Sequence, residues 1–362
     1  GGDATCLGDV LLHRAAEHDD AVHMRRRLGR AGEAVLERHQ QPLVHRRDHQ
    51  QGEEAEREQD EPAPEAPSAP DQEQAEEGQR IATVLKHRFG FSTALLRQLK
   101  LLPDGILLDG ERAFANQPVR AGQRITCLLP PEEVSSTILP VEGPLTIVYE
   151  DEALLILEKP CGVAVHPSQG HFTDSLANFV AFEMQRRGEP FVFRAVNRLD
   201  RNTSGLMAVA KSGYIQTRLI EQLKTGQLHR EYLAICQGRP LPPSGCISKP
   251  ILDLPKTLKR VVDEHGAPAV THYETLETRA GFSLLRLWLE TGRTHQIRVH
   301  MASVGCPVAG DFLYGNELAA LSGHALHSAS LSLLHPLSGE TLCFQSAMRP
   351  EMEAFWRSLP NA

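Results

Sequence analysis

The stretch that most constrains this chain is Arg198-Leu-Asp-Arg-Asn-Thr-Ser-Gly205, a polar turn that runs straight into the apolar segment Gly205-Leu-Met-Ala-Val-Ala210. The apolar run calls for burial, and the turn leading into it presents a single carboxylate, Asp200, between Arg198 and Arg201. Thr203-Ser204-Gly205 closes the turn with a small, conformationally permissive residue. A carboxylate held among cations stays ionised and can act as a nucleophile or a base. An isolated Asp between arginines is more often a surface turn with a local ion pair. The weight therefore falls on the rest of the chain.

Upstream stands Ile147-Val-Tyr-Glu-Asp-Glu-Ala-Leu-Leu-Ile-Leu-Glu-Lys-Pro-Cys-Gly-Val-Ala-Val-His-Pro167, two apolar runs ending in Lys-Pro-x-Gly and His-Pro. Downstream come Arg230-Glu-Tyr-Leu-Ala-Ile235 and Leu289-Glu-Thr-Gly-Arg-Thr-His-Gln-Ile-Arg-Val-His300. Gly310-Asp-Phe-Leu-Tyr-Gly315 and Ala325-Leu-His-Ser-Ala-Ser-Leu331 follow. In content and order these strings resemble the RluA-type pseudouridine synthases, whose central turn reads Arg-Leu-Asp-x-x-Thr-Ser-Gly. The resemblance covers the chain from about residue 140 to the end. Many relatives have His where Asn197 stands, a position that flanks the chemistry.

The resemblance implies an RNA-modifying isomerase, and it assigns roles. Asp200 would be the catalytic aspartate, attacking the ribose or taking a proton from it. Arg298 would be its partner, a guanidinium that orients and charges the carboxylate. Tyr232 would stack on the base, where a tyrosine in an apolar strand is otherwise more often core. A uridine in folded RNA must leave its stack to be reached, and Arg198 would fill the space it vacates. His166, Arg293 and His295 would shape the pocket or touch phosphate. No cofactor or metal is implied, and the chain carries neither G-x-x-x-x-G-K-[ST] nor G-x-G-x-x-G. The expected partner is structured RNA, with ribosomal RNA favoured over transfer RNA.

Two other function classes can be weighed. The spacing His295-x-x-x-x-His300 invites a metal-hydrolase reading, but five residues along a helix put the rings on different faces. A catalytically inactive RNA-binding protein is the second alternative; intact Asp200, Tyr232 and Arg298 argue against it, because binding alone needs none of them together.

The first 79 residues differ from the rest. They contain no Phe, Trp, Tyr or Lys, and hold 9 Arg against 19 Asp or Glu, a net charge of −10. The remaining chain has 29 basic and 27 acidic residues, or +2, so the acidic total of −8 does not exclude a nucleic-acid partner. Residues 1–79 read as a disordered or artefactual tail, with a helical stretch near Glu33 to Arg38. Seven scattered cysteines without a C-x-x-C pair read as reduced thiols. With no apolar run of spanning length and no signal-peptide pattern, a soluble, cytoplasmic monomer is expected.

From Arg80 the texture becomes globular. Ile81, Val84 and Leu85 fall at helical spacing, and Phe91-Ser-Thr opens a second helical run with Leu95, Leu96 and Leu99 on one face. A strand Ile106-Leu-Leu108, the turn Asp109-Gly110 and the stretch Val119 to Leu129 follow. Residues 80–130 resemble the S-four-like RNA-binding domain that many of these synthases carry, and 131–139 read as a linker. In 140–362, hairpins are expected at Thr146–Tyr149 with Ala153–Leu157, and at Thr271–Thr278 with Phe282–Glu290. Helices at Ser175–Arg187, Tyr214–Leu223 and Thr294–Val304 lack regular βαβ alternation. The implied fold is an α+β catalytic domain with a mixed, mainly antiparallel sheet, behind a small α+β domain.

Overall fold

In the computed structural model the described residues are 78–129, 138–168 and 170–361, together with two strand backbones in the amino-terminal region. The chain divides into two compact units, residues 1–131 and 132–362. The rest of the predicted tail, and most of the predicted linker, lie outside the described residues.

The first unit holds β1 (Val22–Arg27), β2 (Glu33–Arg38), α1 (Ile81–His87), α2 (Thr93–Leu101), β3 (Ile106–Leu108), β4 (Glu111–Arg112) and β5 (Ile125–Cys127). The expected helix near Glu33 to Arg38 is instead a strand. β2 pairs with β1 along its length and with β5 through Ala34↔Cys127 and Val35↔Thr126, so ladder hydrogen bonds outweigh local helix propensity. Helix α2 starts at Ser92, whose Oγ accepts the Leu95 N–H at 3.1 Å. Asp109 (φ 54°) and Gly110 (φ 88°) make the two-residue turn between β3 and β4.

The second unit comprises β6 (Thr146–Glu150), β7 (Leu154–Lys159), α3 (Leu176–Arg186), β8 (Arg194–Ala195), β9 (Ser204–Ala210), α4 (Gly213–Thr225) and β10 (His229–Gln237). It continues with β11 (Ser244–Ser248), β12 (Ile251–Asp253), β13 (Arg260–Val262), β14 (Val270–Arg279), β15 (Phe282–Leu289), α5 (Gln296–Ser303), β16 (Leu326–Leu334), β17 (Thr341–Gln345) and α6 (Pro350–Ser358). The large sheet runs β11-β14-β15-β10-β16-β9-β7-β6, with β17 beside β16 and β8 beside β9. Every pairing in it is antiparallel except β9 with β16. It is the mixed, mainly antiparallel sheet expected, and both predicted hairpins are present.

All seven residues of β9 are buried, which fits an apolar run in mid-sheet rather than on an edge. Met207 and Val209 join the core that contains Leu155, Leu157, Leu285, Leu287 and the α3 residues Leu176, Phe179 and Val180. Helix α4 touches β8, β9 and β16. The β9–β16 junction depends on Gly205. Its φ is +102°, and a Cβ there would lie 2.2 Å from the Ser328 carbonyl oxygen. This close approach sets where the polar turn ends and where Asp200 stands.

Candidate active site

Asp200 sits in the turn that feeds β9, and the turn is held from below. The Thr203 N–H donates to the Asp200 carbonyl at 3.0 Å, and Thr203 Oγ1 bonds His324 Nε2 at 2.8 Å. Lys159, at the end of β7, is fully buried. Its Nζ donates to the carbonyls of Pro160 (2.8 Å), Val163 (2.7 Å) and Arg201 (2.9 Å). Burial pushes its ammonium down to about 7, against the opposing influence of Cys161 and Asp200. Arg201 closes the junction: its carbonyl accepts the Gly162 N–H at 3.0 Å while its Nε donates to the Gly162 carbonyl at 2.9 Å. The Lys-Pro-Cys-Gly loop is thereby fastened to the Asp200 turn.

The guanidinium of Arg298 reaches Asp200 from α5, Nη1 to Oδ2, at 3.0 Å. It is itself held by Asp311, which accepts from Nε at 2.7 Å and from Nη2 at 2.9 Å. Asp311 Oδ1 also accepts the N–H groups of Leu313 (3.0 Å) and Tyr314 (3.3 Å). Burial disfavours the Arg298 charge, but the Asp311 and Asp200 carboxylates outweigh it and raise its affinity for the proton. The Tyr314 ring lies beneath the cation, its centroid 5.1 Å from the guanidinium carbon.

His295 precedes α5 in the left-handed conformation, φ 58°. Its Nδ1 faces the Tyr314 hydroxyl at 2.9 Å, and that hydroxyl accepts the Arg260 backbone N–H at 2.8 Å. Burial lowers its proton affinity. With the hydroxyl hydrogen on Nδ1, the remaining N–H is on Nε2, 4.0 Å from Asp200 Oδ2. The loop before α5 is stapled by Gln296. Its Oε1 accepts from Thr291 Oγ1 (2.8 Å) and the Arg293 N–H (2.9 Å), and its Nε2 donates to the Val270 carbonyl (2.9 Å).

A family model described as RNA pseudouridylate synthase matches residues 153–303. The RNA pseudouridine synthase YhcT of Bacillus subtilis is 36% identical over 286 residues, covering 78% of this chain and 94% of that protein. The chain belongs to the RNA pseudouridine synthases. Ribosomal large subunit pseudouridine synthase D of Xanthomonas campestris is 36% identical over 298 residues, covering 78% of this chain and 89% of its own. A structure of human RNA pseudouridylate synthase domain containing 4 aligns with a TM-score of 0.47 at 25% identity, over 59% of this chain and 94% of that one. The synthase is an isomerase of the RluA type.

The synthase brings Asp200 and Arg298 into contact, with His295 beside them. Tyr232 is buried in the core of β10. Burial raises its phenol, and both Arg230 and Asp200 are close enough to act on it, Arg230 through a hydrogen bond. Arg198 and His166 lie exposed. Partial desolvation of its ring, which packs edge-on to Phe193, lowers the His166 imidazole, helped by the Arg198 charge, so the two are neighbours. Arg293 is also exposed, and its Nε donates to the Pro268 carbonyl at 3.1 Å rather than reaching Asp200.

Four neighbours were not assigned roles from sequence: Asp311, Lys159, Tyr314 and Arg230. Asp311 and Tyr314 share the Gly310-to-Gly315 string, and their three-residue spacing is the one signal that marks them as a pair. Metal chemistry finds no support in the His295/His300 spacing. His300 is buried with Nδ1 on Thr271 Oγ1 and Nε2 on the Lys249 carbonyl, both at 2.9 Å. Among the described residues, no group of three or more His, Cys, Asp or Glu side chains stands where it could hold an ion. Nor, among the same residues, is any helix long and apolar enough to cross a membrane.

Proposed function

We propose that the synthase isomerises specific uridines in structured RNA, with Asp200 as the catalytic carboxylate. The observation that carries this is the 3.0 Å bond from Arg298 to Asp200, backed by the two-point grip of Asp311 on the same guanidinium. A carboxylate oriented in this way beside the ribose can attack C1′ or remove a proton from the sugar. The reaction breaks the N1–C1′ bond, turns the uracil and forms the C5–C1′ bond; C5 gives up its proton and N1 takes one up, so the product is an isomer of the substrate. Nothing is oxidised or reduced, so the balance needs no cofactor and no metal.

Tyr232 packs against the uracil as a neutral phenol, with Arg230 holding its hydroxyl. Arg198, on the rim beside His166, fills the gap left by the flipped base. His295 shapes the pocket next to the carboxylate, and Arg293 and His166 meet flanking phosphates. Residues 80–130 add RNA contacts outside the catalytic unit. Ribosomal RNA is the favoured substrate, since a 36% identical relative bears the name of a ribosomal large subunit enzyme, and transfer RNA is the second candidate.

Asp200→Asn is the decisive test, because the amide keeps shape and removes the charge. The variant should keep its melting temperature and RNA affinity while pseudouridine formation disappears. Persistent turnover by the purified variant would refute the mechanism. Wild-type protein that binds structured RNA but converts no uridine would favour the inactive RNA-binding alternative.

A further inference from the structure

The first unit carries a cleft of about 360 Å3, a size typical of small-ligand sites, between the end of α2 and the segment Arg112–Asn116. Its floor is apolar, made by the buried Leu99, Ile106, Ala113 and Ala115. Its rim is different. Arg112, Phe114 and Asn116 alternate with the two buried alanines and point outward, and Lys100 faces them from α2.

Phe114 is 65% exposed, yet its backbone is anchored. Its N–H donates to Gln117 Oε1 at 3.3 Å, and its carbonyl accepts the Gln117 N–H at 2.9 Å. On either side the Ala113 N–H reaches the Ile106 carbonyl at 2.9 Å, and the Ala115 carbonyl accepts the Ala82 N–H at 2.8 Å. The ring is thus an exposed aromatic on a fixed support. The Arg112 guanidinium stands 5.8 Å from its centroid. Among the described residues, neither Arg112 nor Lys100 pairs with a carboxylate.

An aromatic face beside two unneutralised cations matches what each nucleotide carries, a planar base next to a phosphate. An apolar protein partner would cover the ring but leave both charges unmatched. We propose that this cleft binds one unpaired base of the RNA, stacked on Phe114, with Arg112 and Lys100 on the adjoining phosphates. The inference deepens the RNA-modifying reading above and rests on it for the nature of the ligand.

The test uses the full chain, labelled decacytidine, and an abasic strand with the same number of phosphates. Cytidine avoids the uridine-converting site. Phe114→Ala and Phe114→Leu should each weaken decacytidine binding about 10-fold while leaving the abasic strand unaffected, and Phe114→Trp should restore it. Arg112→Gln should weaken both strands and flatten the slope of log affinity against log salt by roughly 0.7.

Equal losses on both strands, or no loss in Phe114→Ala, would overturn the cleft. So would a self-association of the wild type that Phe114→Ala abolishes, since a second copy would then be the occupant. If no RNA is isomerised but Phe114-dependent binding persists, the catalytic reading fails and the cleft stands.

Discussion

Asp311 grips Arg298 at two nitrogens, 2.7 Å to Nε and 2.9 Å to Nη2, and thereby decides where the third nitrogen points. That third nitrogen, Nη1, is the one on Asp200. Orientation of the candidate catalytic carboxylate is therefore set one residue further back than the ion pair itself. Arg298→Met should lower turnover at least ~100-fold, the scale of losing one positioned charge partner. Asp311→Asn leaves one acceptor and removes the charge, so the guanidinium can swing, and a misplacement of this kind costs on the order of 100-fold. Both should act on kcat with RNA affinity near wild type. Single-turnover and binding measurements on each variant check this, and a near-normal kcat in Asp311→Asn would confine that residue to packing.

Gly205→Ala should be destabilising by about 3 kcal/mol or more, in the range set by a forced backbone outlier combined with overpacking. The added methyl would need to displace the Ser328 backbone from 2.2 Å, in a strand pair that cannot separate without unzipping β9 from β16. Urea unfolding of the two proteins gives the difference directly. A midpoint within error of the wild type would show that the junction can slide.

Much of this site was legible in the motif strings because its parts are local. The turn at Asp200, the hairpins and the helix start at Ser175 each depend on a few neighbouring residues. What could not be read depends on distant chain. Nothing near Ser204 announces that its strand lies parallel to β16, more than 120 positions away. Asp311 sat inside a recognised string, but its role exists only once Arg298 arrives from α5. Lys159 is legible as a charge and not as a buried one, because its three carbonyl partners are assembled by two loops that meet only in the fold. At Glu33–Arg38 local propensity pointed to helix, and pairing with β5 overrode it.

His324 ties acid stability to the Asp200 turn. It is almost wholly buried, and burial followed by the Arg298 charge pushes its imidazole down to about 3 from the usual 6.5. Between those values the unfolded chain binds a proton that the native state does not, so stability rises with pH across the window. The contribution is complete above pH 6.5 and is lost as pH falls towards 3. By pH 5 the loss is about 2 kcal/mol, at roughly 1.4 kcal/mol per pH unit. His324→Gln, which can still meet Thr203 Oγ1, should show a correspondingly shallower fall in stability between pH 7.5 and pH 5. Denaturant titrations of both proteins at the two pH values test this; parallel losses would assign the acid sensitivity to other groups.

The two units should separate affinity from chemistry. Asp200, Tyr232 and Arg298 all lie in the unit 132–362, whose core cluster draws on that unit's own residues. Residues 80–129 hold Lys100, Arg112 and Phe114 and none of the candidate catalytic groups. Removing residues 1–133 should therefore weaken binding to a long folded RNA far more than it slows isomerisation of a short oligonucleotide at saturation. The mechanism of the loss is phosphate contact, and each contact removed flattens the slope of log affinity against log salt by roughly 0.7 to 0.9. Paired salt titrations of the full and shortened chains on one RNA give that slope difference, and with it a count of lost contacts. Identical slopes would mean that the first unit does not touch the RNA backbone, and that its likeness to an S-four-like domain is one of shape alone.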